Sequence, residues 1–249
     1  MTRSREAFIS LLKNIASDDE CRELRDAATN DMERVFYSHQ GLAADKWHHY
    51  LAIYERYLNR YRDTHARLLE IGVQDGGSLQ IWREYLGVHA RVQGLDIEPR
   101  CASLPVDAEV TIGDQVDPAT LDAIAAGATP LNIVIDDGGH RWRDQIKTFA
   151  ILFPQMADDG VYICEDVHTS YVDQFGDDDG PTFIDYARSL VDRIHAPYQG
   201  RLETPVSRLI QGIHIYDSVV VIEKGPRKTP RRVIRGTERP ITFQLTDPE

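Results

Sequence analysis

Long apolar runs are missing from this chain. No stretch of 18 or more apolar residues occurs, so no transmembrane helix is expected. The opening MTRSREAFISLLKN has a charged start but no apolar stretch long enough for a secretory signal. Cysteine is scarce. Cys21, Cys101 and Cys164 are scattered, odd in number and without CxxC spacing. This argues against a disulfide scaffold or a cysteine-rich zinc site, and a reducing cytoplasm is the expected location. Positive charge is also short: 28 Lys and Arg face 40 Asp and Glu, a formal net charge of −12. A duplex nucleic-acid binder needs a basic face, so no nucleic-acid partner is expected. Internal repeats and long low-complexity tracts are absent too. What remains is 249 residues of ordinary globular composition, enough for one substantial core.

The first 65 residues read as helices. Phe8, Leu11, Leu12 and Ile15 make one apolar stripe. Cys21, Leu24, Ala28, Met32 and Val35 continue it after a cap at Ser17 or Asp18. Gly41 breaks the run. Tyr50, Ile53, Tyr54, Tyr57, Leu58 and Tyr61 then form a tyrosine-rich stripe, readable as a core face with hydroxyls at its rim or as a contact surface. From Arg67 short apolar runs alternate with helical patterns. The runs are 67–73, 91–97, 109–114, 131–137 and 160–166. The helix candidates are Leu79–Leu86, Pro118–Ala126 and Trp142–Phe153. Such alternation predicts an α/β fold with a doubly wound, mostly parallel sheet. A turn-prone acidic loop, Asp173 to Pro181, precedes a helix carrying Phe183, Ala187, Leu190 and Ile194. IHIY (213–216) and SVVVIEK (218–224) predict a C-terminal antiparallel hairpin. The chain thus divides into an N-terminal helical extension (1–65), an α/β domain (66–225) and a tail (226–249), disordered or packed on a neighbour.

Ligands of open α/β sheets bind outside the carboxyl ends of the strands. The first such end reads Glu70-Ile71-Gly72-Val73-Gln74-Asp75-Gly76-Gly77-Ser78. Gln74 stands where GxGxxG has the glycine that admits a pyrophosphate. A cofactor without phosphates does not need it, and S-adenosylmethionine is one. Glu70 is the candidate acceptor for its amino group, directly or through water. Gly72 and Gly76 let the loop pass close. Ser78 is expected to cap the following helix, whose N-terminus suits a carboxylate. Asp96, at the end of the second strand, is the candidate for ribose hydroxyls, with Glu98 as competitor. Gly113-Asp114-Gln115 is placed to meet the adenine edge.

The fourth and fifth strand ends read Asp136-Asp137-Gly138-Gly139-His140 and Glu165-Asp166. As neighbours, they would crowd four carboxylates into one crevice, where something positive must sit. An all-oxygen set selects a hard divalent cation, Mg²⁺ first, then Mn²⁺ or Ca²⁺. His140 is the candidate general base, with His48 and His49 as rivals.

At these residues a resemblance can be stated. LLEIGVQDGGSLQIWREYL, GLDIEP, IDDGGH and YICEDVHTSY, with AADKWHHYLAIYERYL upstream, resemble the metal-dependent sugar O-methyltransferases of the macrolide-tailoring type. The likeness runs from about Asp45 to about Tyr171. Gly139 stands where that family has a serine. The resemblance implies a Rossmann-like fold, S-adenosylmethionine, and Mg²⁺ on Asp137, Glu165 and Asp166. It implies His140 as the base and Asp136 as a carboxylate behind the metal or beside the cofactor, the two aspartates being interchangeable at this stage. It implies a sugar or oligosaccharide acceptor and a homodimer or larger homo-oligomer. Trp47, Tyr50 and Tyr171 are candidates to stack on sugar faces. Ala43–Tyr50 and Asp173–Pro181 are candidate lids. A catechol-type diol as acceptor, or a non-catalytic binding module, are the alternatives.

Overall fold

Alternating apolar runs and amphipathic stretches fold into strands and helices close to the expected bounds. The structure, a computed structural model, describes residues 9–10, 12–176, 180–228 and 230–236. Ahead of the sheet lie α1 (Asp18–Asp26), α2 (Asp31–Ser38) and α3 (Tyr50–Leu58). Then follow β1 (Arg67–Ile71), α4 (Gly77–Leu86), β2 (Arg91–Asp96), β3 (Glu109–Ile112), α5 (Pro118–Ala125) and β4 (Ile133–Asp136). The chain continues through α6 (Trp142–Leu152), β5 (Val161–Cys164), α7 (Phe183–Ile194), β6 (Ile210–Ile215) and β7 (Val220–Lys224).

The strands form one seven-stranded sheet in the order β3-β2-β1-β4-β5-β7-β6. The first five run parallel, and β7 pairs antiparallel with both β5 and β6. This is the expected doubly wound sheet with its hairpin. The order reverses between β1 and β4, so the loops after these strands open a crevice where a ligand can enter. Residues alternate between the two faces of each strand. Leu68, Ile133, Ile135, Val161 and Ile163 pack on one face against α3, α4 and Met32 of α2. Leu69, Ile71, Val134, Tyr162 and Cys164 pack on the other, with Phe149, Leu152 and Phe183 of α6 and α7.

Local chemistry sets the helix ends. Ser17 caps α1 through a reciprocal pair with Glu20. Asp117 accepts from the amides of Ala119 and Thr120 ahead of Pro118, which opens α5. Thr182 and Asp185 make the same reciprocal cap on α7. The stripe from Cys21 to Val35, expected as one run, is two helices. Asn30 interrupts it and caps α2, accepting from the Glu33 amide. The stripe at Phe8–Ile15 lies partly outside the described residues, as do parts of the 173–181 loop and of the tail. The tyrosines of α3 are buried and form a core face. Among the described residues no helix is long and apolar enough to cross a membrane.

Candidate active site

The carboxyl ends of β1 to β5 surround a cavity of about 1220 Å³. Its walls include Gly72, Asp96, Asp114, Asp137, His140, Glu165 and Asp166. The segment 44–50 closes one side. Residues of 12–27, among them Ile15 and Leu24, also line it, a cover the local patterns did not suggest.

Asp136 and Asp137 are separated by the pleat. Asp136 is 1% exposed and turns into the core. It accepts from Tyr162 Oη at 2.6 Å and from Gln115 Nε2 at 3.2 Å. Burial pushes its carboxyl up to about 6. The expectation of four carboxylates in one crevice therefore needs correction, because side chains of successive strand residues point to opposite faces. Asp137 lies past the end of β4 and faces the cavity.

The expected positive group is an ammonium. Lys46 Nζ lies 2.5 Å from Asp137 Oδ2, 3.0 Å from Glu165 Oε2 and 3.3 Å from Glu70 Oε1. Burial works against its charge, but Asp137 and Glu165 hold its pKa well above the usual lysine range. Tyr54 Oη donates to the other Glu165 oxygen at 2.6 Å. Burial raises Glu165 well above the ordinary carboxylate range, against the pull of Lys46. Asp166 accepts through Oδ1 from Tyr50 Oη at 2.7 Å and from Trp47 Nε1 at 3.1 Å. Lys46 and Tyr54 were missed as site residues in the sequence, and Gln115, expected at the adenine edge, instead bonds Asp136 and the Gly139 amide. Their partners lie far along the chain, and the one signal was a lone lysine in AADKWHHY.

His140 Nε2 faces Asp137 Oδ1 at 3.9 Å and Asp166 Oδ2 at 3.6 Å. Its Nδ1 is buried without a partner. His140 and Asp166 both adopt positive φ, 54° and 51°, a backbone state that non-glycine residues rarely take and that concentrates at functional sites. Gln115 Oε1 accepts from the Gly139 amide at 2.7 Å and steadies the loop before His140. Among the described residues, Asp137, His140 and Asp166 form the one group able to offer a metal three ligand atoms within 4.8 Å of one another. Two of those atoms are hard carboxylate oxygens, so the set fits Mg²⁺ or Mn²⁺.

At the other end of the cavity, Asp96 accepts from the amides of Val73 at 2.7 Å, Gln74 at 3.0 Å and Glu98 at 2.8 Å. Burial opposes its charge, but these amides hold its carboxyl below the usual range. Asp96 thus shapes the β1 loop, while Glu98 and Asp114 share the same wall. Gly72 has φ +89°, and a Cβ there would run into the Asp137 carbonyl, so the β1 and β4 loops meet only through glycine. Gly76, at φ +86°, is the residue that leads into α4. Ser78 does not cap that helix. It donates to Glu70 Oε2 at 2.6 Å, because it already lies inside the first turn. Glu70 is buried, which raises its pKa, and its Oε1 accepts no hydrogen bond. That oxygen instead meets the Lys46 ammonium at 3.3 Å, a cationic partner of the kind an incoming amino group would also be.

The aromatic candidates separate. Trp47 lines the cavity. Tyr50 also reaches it but is 1% exposed, so its ring is not a free stacking platform and its hydroxyl holds Asp166 instead. Tyr171 is 71% exposed and lies outside the cavity wall. His48 pairs with Tyr37 at 3.3 Å and His49 with the Asp217 carbonyl at 3.2 Å, and both line the cavity.

No family model matches the chain. Known proteins do. An 8-demethyl-8-alpha-L-rhamnosyl tetracenomycin-C 2'-O-methyltransferase of Streptomyces olivaceus is 34% identical over 197 residues, 73% of this chain and 52% of that protein. A demethylmacrocin O-methyltransferase of Streptomyces fradiae is 34% identical over 199 residues, 72% of this chain and 50% of its own. The chain spans about half the length of the curated relatives it matches. Among solved structures, the MycE methyltransferase of the mycinamycin biosynthetic pathway, in complex with Mg, SAH and mycinamycin VI, superposes with a TM-score of 0.69 at 29% identity. The match covers 86% of this chain and 63% of that one. By sequence and by its class I methyltransferase fold, the chain is a homologue of the sugar O-methyltransferases of macrolide and tetracenomycin pathways.

Proposed function

We propose that this chain catalyses S-adenosylmethionine-dependent, Mg²⁺-dependent methylation of a hydroxyl on a sugar-bearing small molecule. The observation that carries the reading is the convergence of Asp137, Asp166 and His140 in a cavity that extends to the β1, β2 and β3 loops. Homology to enzymes named for sugar O-methylation supports the acceptor class.

Asp137 and Asp166 would hold Mg²⁺, with Glu165 as the third carboxylate. A hard divalent cation, when bound there, lowers the pKa of an acceptor hydroxyl and fixes its direction. S-adenosylmethionine supplies an electrophilic methyl group. His140 takes the hydroxyl proton on Nε2. For that, the neutral ring carries its one proton on Nδ1, and accepting the second on Nε2 makes it an imidazolium. Glu70, held by Ser78, receives the amino group of the donor. Gly72 and Gly76 allow the loop its close approach. Asp96 holds that loop in shape, and Asp114 meets the nucleoside end. Asp136 braces the β4 end through Tyr162 and Gln115. Trp47 offers an apolar wall to the sugar. The segments 12–27 and 44–50, both in the N-terminal extension, exclude water.

A homo-oligomer belongs to the same reading, supported by the exposed apolar side chains of Val233 and Ile234. So does a cytoplasmic location, supported by three free cysteines. Calorimetric titration with S-adenosylhomocysteine, with NAD⁺ as control, tests the foundation. Binding of the first and not the second is expected. Turnover of glycoside acceptors should then vanish in EDTA and return with Mg²⁺. A folded sample that ignores S-adenosylhomocysteine, or full turnover in EDTA, sinks the reading.

A further inference from the structure

One short segment ties the carboxylates of the site. Lys46 reaches Asp137, Glu165 and Glu70. Trp47 and Tyr50 hold Asp166, and Tyr54 holds Glu165. On Asp137 and Asp166 the hold is one-sided, whereas Glu165 is held at both oxygens, by Lys46 and Tyr54. Lys46 takes Asp137 Oδ2, while Oδ1 faces His140. Trp47 and Tyr50 take Asp166 Oδ1, while Oδ2 faces His140. The oxygens left toward His140 are those that a divalent cation would use.

Lys46 does something more than the tyrosines. Its side chain is 4% exposed, and its ammonium stands among one oxygen each from β1, the β4 loop and the β5 end. In the proposed function Glu70, buried behind the cavity wall, serves the donor's amino group, and Asp137 and Glu165 serve the cation. A divalent ion and the ammonium together bring three positive charges to the four carboxyl groups of Glu70, Asp137, Glu165 and Asp166. Without the ammonium, Glu70, Asp137 and Glu165 would face one another unpaired and repel.

We propose that Lys46 is a positioning residue that joins the two ends of the site, aiming Asp137 at the cation while it holds Glu165 in place and touches Glu70. The inference rests on the function proposed above. It makes Lys46 a fixed positive charge beside the divalent ion, and not a proton carrier. Groups that orient metal ligands from behind are typically worth about 10- to 100-fold in metal affinity. Because Lys46 spans both ends, cation binding and cofactor binding are thermodynamically linked through it, each changing the affinity of the other by the same factor.

The test uses the full chain and no turnover. Mn²⁺ binding is followed by the electron paramagnetic resonance of the free ion. S-adenosylhomocysteine binding is followed by calorimetry, with and without saturating Mn²⁺. Lys46→Met keeps the length and packing of the stem and removes the charge. Lys46→Gln is the second variant, should the first fail to fold. In the wild type, Mn²⁺ should change the S-adenosylhomocysteine affinity by about fivefold or more. In a folded variant, Mn²⁺ should bind about 10- to 100-fold more weakly, and the linkage should shrink toward one. A purely structural ion pair would lower stability and leave both quantities in place, which overturns the proposal. Unchanged or tighter Mn²⁺ binding in the variant overturns it too, the tighter case making Lys46 a competitor of the ion. A wild type that binds neither ligand refutes the proposed function itself.

Discussion

The two faces of the sheet are covered by unlike material. On one, α5, α6 and α7 supply a dry aromatic and aliphatic core. Phe149 stacks on Phe153 at 4.7 Å and meets Tyr162 edge-on at 5.1 Å. On the other, α3 and the segment before it supply tyrosine, tryptophan and lysine, whose rings and stems pack while their polar tips reach the carboxylates. Both faces bury comparable apolar side chains, but the donors that reach the carboxylates of Asp166 and Glu165 come from the second, while Tyr162 and Gln145 on the first brace Asp136 and the Glu165 carbonyl. Amphipathic side chains make this possible, since one residue can serve the core with its body and the site with its end. Stability and site geometry are therefore largely separable on the dry face and joined on the other.

Four substitutions would break or sharpen this contrast. The largest effect is expected at the site itself. His140→Ala should lower kcat by about 10²- to 10⁴-fold, with S-adenosylhomocysteine affinity retained in calorimetry. An unchanged kcat would remove His140 as the base. On the dry face, Phe149→Ala should cost about 3–5 kcal/mol of unfolding free energy in urea, while Mn²⁺ and S-adenosylhomocysteine affinities hold at a temperature where the variant is folded. A shift in those affinities would end the separation of the faces.

Asp96 sits at the strand ends, where charged hydrogen bonds to amides are worth about 1.5–3 kcal/mol in total effect. Its folded pKa lies below the model-compound value of 3.8. The stability it contributes is thus present above that value and is lost as pH falls through the lower folded pKa. Asp96→Asn should flatten the acid limb of the stability curve, read from urea midpoints between about pH 2 and 5. An acid limb identical to that of the wild type would show that the amides do not favour the charged form. The smallest change is Tyr54→Phe. It leaves a buried Glu165 oxygen without its donor, at a cost of about 1–3 kcal/mol. Mn²⁺ affinity should fall along with stability, since Tyr54 belongs to the face that serves the site. Loss of stability alone would place Tyr54 with the core.

Much of the fold was readable along the chain. The five parallel strands and three of the helices lie within a few residues of their expected bounds, because strand and helix periodicity are local properties. The Asp137–His140 and Glu165–Asp166 motifs were equally visible, since each is a short run at a strand end. The pairing of α1 with α2 was misread as one run, because apolar spacing alone does not register the cap at Asn30. Ser78 was misread for a related reason: a serine near a helix start resembles a cap until its hydroxyl is seen bonded to Glu70.

The sequence by itself determined where the strands end and that acidic side chains gather there, which already demanded a positive partner. Which partner, and which carboxylates, were decided by the tertiary structure. The pleat sent Asp136 inward to Tyr162 and left Asp137 at the cavity. Lys46 meets Asp137 and Glu165 across 91 and 119 residues of chain. No local pattern encodes such a contact. It exists because burying the tyrosine face of α3 against the sheet carries Lys46, just ahead of that helix, over the carboxyl ends of the strands.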